Sequence, residues 1–310
     1  MERRSPLSVW EAYFPARLMG FRTRLGNVFD RLADRVMRRS VAVAELALQA
    51  QLSAEWERLR ADVRARIPQS PAAAGYKVYS QCDEDGVLAA ILARLDMGHS
   101  PATCVEIGCS DGLENITHRL LLQGFHGVWF DASSACVAAI GQALGGLEFP
   151  TLRVRQAFVD AKNVVDLLGE AGEFLGTRDP DVLAVDIDGN DVAVVTAALT
   201  VSQPRVLVVE YNAKFPPPMS LTLAYDPAFR WHEDDYQGAS LVAWCEALPG
   251  YQLVACSLSG VNAFFVRTDL AGGFPVAAPG ELFEPPRYHL VQLRAGHKPT
   301  LKWLRQVVKG

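Results

Sequence analysis

The spacing of apolar residues changes period twice along the chain. Leu18, Phe21, Leu25, Val28, Leu32 and Val36 recur at steps of three and four, the stripe of an amphipathic helix. Leu48, Leu52, Leu59 and Val63, with Trp56 beside them, form a second stripe. Together they predict a helical hairpin packed on the body or on a second subunit, and hence a homo-oligomer through residues 1–66. Arg fills the other faces, so the arm also reads as a helix lying on an anionic membrane surface. Pro68 and the run QSPAAAGYK break the pattern and predict a linker.

From Tyr79 onward the rhythm is one of short apolar runs alternating with helical stretches. Strands are predicted at 103–108, 127–132, 152–159, 182–188 and 205–212. Helices are predicted at 86–98, about 114–123, 133–144, 162–171 and 190–199. Strands buried on both faces and joined through helices give a parallel, doubly wound α/β sheet. Two more strands, 251–258 and 261–269, meet at a tight Ser-Gly turn and can only pair antiparallel. The expected organisation is an arm (1–68), an α/β domain (69–270) and a Pro-rich, basic tail (271–310) tacked down by Trp303 and Leu304.

Composition narrows the classes. With 310 residues, 50% hydrophobic and 21% charged, the chain is neither disordered nor fibrous. No apolar run approaches the roughly 18 residues of a membrane span, and MERRSPLSVWEAYF lacks a signal-peptide core. The expected location is the cytoplasm, with peripheral contact at the inner face of the membrane if the arm binds lipid. Six cysteines without a C-x-x-C pair read as reduced thiols. Residues 1–66 hold 13 Arg and 8 acids, a net of +5, leaving −10 for the rest of a chain of net −5. No patch of interleaved aromatic and basic residues marks the body, so nucleic acid is not an expected partner.

The chemistry gathers at strand ends, where open α/β sheets bind ligands. The first strand ends in Glu106-Ile107-Gly108-Cys109-Ser110-Asp111-Gly112, and the next ends in Asp131, 25 residues after Glu106. Gly108 permits a tight turn, and Asp131 can accept from both hydroxyls of a ribose. A dinucleotide would bring its pyrophosphate against Asp111, which repels it. S-adenosylmethionine carries a sulfonium and an ammonium and no phosphate, so acids at Glu106 and Asp111 suit it. An antiparallel hairpin closing such a sheet is typical of class I methyltransferases.

The runs YSQCDEDG (79–86), VEIGCSDGLENITHRLLLQGFHGVWFDAS (105–133), VDIDGND (185–191) and VEYNAKFPP (209–217) resemble the FkbM-like S-adenosylmethionine-dependent methyltransferases, over about two thirds of the chain. The resemblance implies methyl transfer, commonly to hydroxyls of sugars, glycans or glycosylated metabolites, as in polysaccharide biosynthesis. Gln81 and Asp85 then fold over the methionine end. Asn115 and Thr117 hold cofactor or cap a helix, Ser133 follows the ribose acid, and Asp160 accepts from the adenine amino group or caps a helix.

A sugar hydroxyl needs a base, a metal or both. Asp186 and Asp188 end the fourth strand at i and i+2, and Glu210 and Asn212 end the fifth with the same spacing. Asp186, Glu210 and Asn212 are the expected ligands for Mg²⁺ or Mn²⁺. Asp188 is the first candidate for base, and His232, in the loop FRWHEDDYQGAS, the second. The pattern is similar to metal-dependent sugar O-methyltransferases, except that Tyr211 separates the two polar residues of the fifth strand. Two other readings stand beside it: a nicotinamide-dependent oxidoreductase, and a non-catalytic scaffold that keeps the fold.

Overall fold

The computed structural model describes residues 16–97, 102–290 and 296–309. The chain divides into two compact units, Met1–Glu57 and Arg58–Gly310. Helix α1 (Ala16–Arg66) is continuous for 51 residues, so the expected hairpin does not form. Neither Gly nor Pro occurs between Asn27 and Ile67 to turn the chain. The side chains of the Leu18–Leu32 stripe lie outside the described residues. In the first unit Val36, Met37, Val41, Val43, Leu46 and Leu48 are exposed. No helix among the described residues is long and apolar enough to cross a membrane.

The second unit begins with the last turns of α1, where Leu59, Val63 and Ile67 are buried. The following segment is not a free linker. Pro71–Ala74 form a buried 3₁₀ turn, whose carbonyls are held by Arg64 (Nη2 to Ala73 O, 3.1 Å) and, at Gly75, by Arg60 (Nε, 2.9 Å). Then come α2 (Glu84–Arg94), β1 (Thr103–Ile107), α3 (His118–Leu122), β2 (His126–Asp131), α4 (Ser134–Leu144), β3 (Leu152–Gln156), α5 (Val164–Leu175), β4 (Val182–Val185), α6 (Asp191–Ala198), β5 (Val206–Glu210), α7 (Leu241–Ala247), β6 (Tyr251–Cys256), β7 (Asn262–Arg267), α8 (Pro279–Leu282) and α9 (Lys302–Lys309).

One seven-stranded sheet has the order β3-β2-β1-β4-β5-β7-β6. β1 to β5 are parallel, and β7 pairs antiparallel with both β5 and β6. Alternation along each strand sorts the two faces. Val105, Ile107, Val128, Phe130, Leu183, Val185, Leu207 and Val209 join residues of α5, α6 and α7 in the larger core. Trp129, Leu152 and Val154 pack with Val137 and Ile140 of α4 on the other face. Each such side chain, taken out of water, contributes roughly 1.5–3 kcal/mol. Helix starts are signed locally: Ser133 Oγ accepts from Cys136 N at 3.2 Å, and Ser240 caps α7. α4 and α5 end at Gly145 and Gly176, both in the left-handed region, as C-terminal caps require.

The tail is less loose than the sequence predicts. Trp303 is buried, and its Nε1 donates to Asp235 O at 2.6 Å. Leu304, expected to help anchor it, is 60% exposed instead, because the inward positions of α9 fall to Trp303 and to Gln306, which donates to Thr222 O.

Candidate active site

A cavity of about 1350 Å³ opens at the carboxyl ends of the parallel strands. Single-ligand pockets hold about 300–1,000 Å³, so there is room for two ligands. One half is lined by Gly108, Ser110, Asp111, Asp131, Ala132 and Phe158, and the other by Asp186, Asp188, Glu210, Phe229, Trp231 and Tyr288.

The first half is a backbone cradle. Gly108 has φ +91°, and a Cβ there would lie 1.7 Å from Asp186 O, so only glycine fits. Asp131 closes the cradle: its carboxylate accepts from Ser110 N (2.8 Å) and Ser133 N (2.7 Å) and still faces the cavity. Asp111 also faces the cavity while accepting from Leu113 N at 3.1 Å. Below it, His118 Nδ1 lies 2.8 Å from Gly112 O, and its ring stacks on Tyr79 at 3.8 Å. Gln81 lines the wall.

Several acids expected around the cofactor do other work. Glu106 stands on the sheet face of Trp129. Its carboxylate accepts from Asn115 Nδ2, Ile116 N, Thr117 N and Thr117 Oγ1, at 2.5–3.1 Å. It therefore pins the loop that carries Asn115, and neither residue lines the cavity. Asp85 Oδ2 collects Val78 N, Tyr79 N, Ser80 N and Ser80 Oγ at 2.7–2.8 Å, which folds the YSQ run into shape. Asp160 Oδ1 accepts from Lys162 N and Asn163 N at the start of α5 and does not line the cavity. Ser133 is the cap of α4.

The second half holds acids that crowd one another. Oxygens of Asp186, Asp188 and Glu210 all lie within 4.8 Å of one another. Strand alternation does not bring them together, because β4 ends at Val185. A turn does: Asp191 accepts from Ile187 N and Gly189 N, both at 2.8 Å, and Asp188 takes φ +55°. Asp191 is fully buried and was not singled out by sequence; its place as the first residue of a helix after Asp-Gly-Asn is the signal that could have found it. Glu210 Oε1 receives only a long bond from Gln237 Nε2, at 3.5 Å. Glu210 Oε2 and Gln237 Oε1 are buried without a partner.

Burial, then the negative charge of Asp188 and Asp191, pushes the Asp186 carboxyl well above its ordinary range. Glu210 is raised in the same way by burial and then by Asp186 and Asp188. Asp188, which is raised by burial and by Asp191, reaches about 6.

Asn212 is not in this group. Its Nδ2 donates to Asp235 O (3.0 Å) and Gln237 O (3.1 Å), and its Oδ1 accepts from Lys214 N (3.3 Å), so it braces the following loop. His232 is exposed and does not line the cavity. The histidine on the cavity wall is His297, from the tail, with its ring edge-on to Trp231 (5.2 Å) and Tyr288 (5.0 Å).

Sheet order, the antiparallel last pair and a glycine-opened cavity at the carboxyl edge define the class I methyltransferase fold, an α/β, Rossmann-like architecture. No family model matches the chain, and no curated protein matches it. Among solved structures it is similar to a TehB-like SAM-dependent methyltransferase from Corynebacterium glutamicum, at 16% identity and a TM-score of 0.34, over 64% of this chain and 92% of that one. An O-methyltransferase from Bacillus cereus in complex with SAH is similar at 17% identity and 0.35, over 57% and 78%. The N-terminal domain of EvdMO1 with SAH bound is similar at 11% identity and 0.38, over 67% and 94%. At such identities the functional reading has to rest on this chain's own residues.

Proposed function

We propose that the protein is an S-adenosylmethionine-dependent O-methyltransferase acting on a sugar hydroxyl of a glycan or glycosylated metabolite. The observation that carries this is the opposition within one cavity of the Gly108–Asp131 cradle and the Asp186–Asp188–Glu210 cluster. Asp131 suits the ribose hydroxyls, and Asp111 disfavours the pyrophosphate of a nicotinamide cofactor. Phe229, Trp231 and Tyr288 offer aromatic faces to the C–H face of a sugar.

In the reaction, the acceptor oxygen attacks the methyl carbon in line with the C–S bond. The O–C bond forms, the C–S bond breaks, and S-adenosylhomocysteine leaves as a neutral thioether. The hydroxyl proton passes to Asp188, which faces the cavity at the open side of the cluster. Asp186 and Glu210 orient the acceptor.

The cluster also fits a hard divalent cation. Buried oxygens of Glu210 and Gln237 lack any donor, and three carboxylates repel one another at close range. Asp186 and Glu210 would hold the ion beside Asp188, where it would supply positive charge next to the acceptor oxygen. Transfer of labelled methyl from S-adenosylmethionine to sugar acceptors tests the reading, with D188N as its control. Full turnover by exhaustively chelated enzyme would remove the cation and leave Glu210 as an acceptor-binding residue.

A further inference from the structure

We infer that the acceptor carries an anionic group, a phosphate or a carboxylate, and that Arg230, His297 and Lys298 receive it at the mouth of the cavity. The identity of that group's bearer, a sugar, rests on the methyl-transfer reading above; the anion subsite rests on its own residues.

Arg230, His297 and Lys298 are the basic residues of the cavity wall, and all three come from two short segments. Those segments are fastened together. Asp234 and Lys298 form a parallel β-bridge, and Asp235 N donates to Lys298 O at 3.0 Å. Asp235 Oδ1 accepts from Thr300 N and Thr300 Oγ1, and Trp303 donates to Asp235 O. The subsite is thus built on packed backbone.

Two of the acids near these cations in sequence are engaged elsewhere. Asp234 pairs with Lys302 at 2.5 Å, and Asp235 pairs with Lys214. Glu233 shares the cavity wall and remains exposed. Among the described residues neither Arg230 nor Lys298 forms an ion pair. Arg230 is nevertheless held: its guanidinium lies 3.8 Å from the centre of the Phe158 ring, and Nη1 donates to Phe229 O at 2.8 Å. His297 is held between Trp231 and Tyr288. An arginine with its plane fixed, on a wall that also carries a lysine, suits phosphate and carboxylate.

The charge layout also gives the acceptor a direction. An anion is repelled by the Asp186–Asp188–Glu210 cluster and attracted by Arg230 and Lys298, so the acceptor enters with its neutral hydroxyl toward Asp188, past a wall that also carries the exposed acids Asp111, Glu114 and Glu233.

The test is calorimetry on the full-length protein at constant ionic strength, with inorganic pyrophosphate and glucuronate as probes and glucose as the neutral control. Each titration is run with and without S-adenosylhomocysteine. Binding of either probe, with affinity about tenfold weaker in both R230Q and K298Q, supports the subsite, and the tighter probe identifies phosphate or carboxylate as the group received. No binding of either anion, or binding unchanged in both variants, overturns it. Failure of S-adenosylhomocysteine to bind would instead defeat the methyl-transfer reading and leave the anion result to stand alone.

Discussion

Carboxylates around the glycine cradle and those at the ends of β4 and β5 are treated in opposite ways. Around the glycine cradle, Asp85, Glu106, Asp131 and Asp160 each accept two or more N–H or O–H donors and act as struts for backbone. At the ends of β4 and β5, Asp186, Asp188 and Glu210 face one another with few donors and are raised by burial and mutual repulsion. Buried polar groups are normally satisfied, so the partnerless Glu210 Oε2 inside this crowded cluster stands out, and on the strutted side only Asp85 Oδ1, among the described residues, shares that state. The first group braces backbone, and the second is left crowded at the cavity wall.

The largest effect should come from breaking the crowded group. D188N should lower turnover by about 10²–10⁴-fold, the usual contribution of a positioned base, while S-adenosylhomocysteine affinity stays unchanged. An active D188N enzyme would move the base elsewhere, and His297 on the cavity wall would be examined before the exposed His232.

The matching break in the bracing group is E106A. It leaves Ile116 N, Thr117 N and Thr117 Oγ1 without their acceptor. At about 1–3 kcal/mol for an orphaned buried group, urea denaturation should show a loss of several kcal/mol, though Glu106 does not line the cavity. A near-native midpoint would mean the loop is held by something else.

A third effect is the pH dependence of stability. Asp188 has a folded pKa of about 6 against an ordinary 3.8, so between those values the folded state binds more protons than the unfolded one. Stability then falls as pH rises from about 4 to about 6, by up to about 1.4 kcal/mol per unit for this group, and is fully expressed only below its unfolded value. D188N should flatten that part of the profile and be more stable than the wild type at neutral pH. A profile that rises through the same window in both proteins would contradict the crowded-acid picture. The smallest effect sharpens the contrast: D160A should cost about 1 kcal/mol of stability, the size of a lost cap, without touching cofactor affinity.

Much of the fold was legible because its signals are local. The β/α alternation, the Ser-Gly hairpin and the Gly108 turn each depend on neighbours in sequence. The single long helix was misread as a hairpin because the apolar stripe is interrupted, although no Gly or Pro lies between Gly26 and Pro68 to turn the chain.

The site was less so. Glu106 and Asp131 both lie at strand ends and look alike in sequence; which one faces the cavity depends on where the N–H groups of 110 and 115–117 point. Asp186, Asp188 and Glu210 do converge, but through a left-handed residue and the Asp191 bonds rather than through strand alternation. His297 and Lys298 reach the cavity through contacts with residues more than 60 positions away, which no spacing rule reveals.

The central claim is that the Gly108–Asp131 cradle holds an S-adenosyl cofactor. Isothermal titration of the wild-type protein and D131A with S-adenosylhomocysteine, and of the wild type with NADH, tests it most directly. The account predicts binding of S-adenosylhomocysteine, weakened by about 1–3 kcal/mol in D131A through loss of a charged hydrogen-bond acceptor, and no binding of NADH. Binding of NADH by a protein that ignores S-adenosylhomocysteine would contradict it.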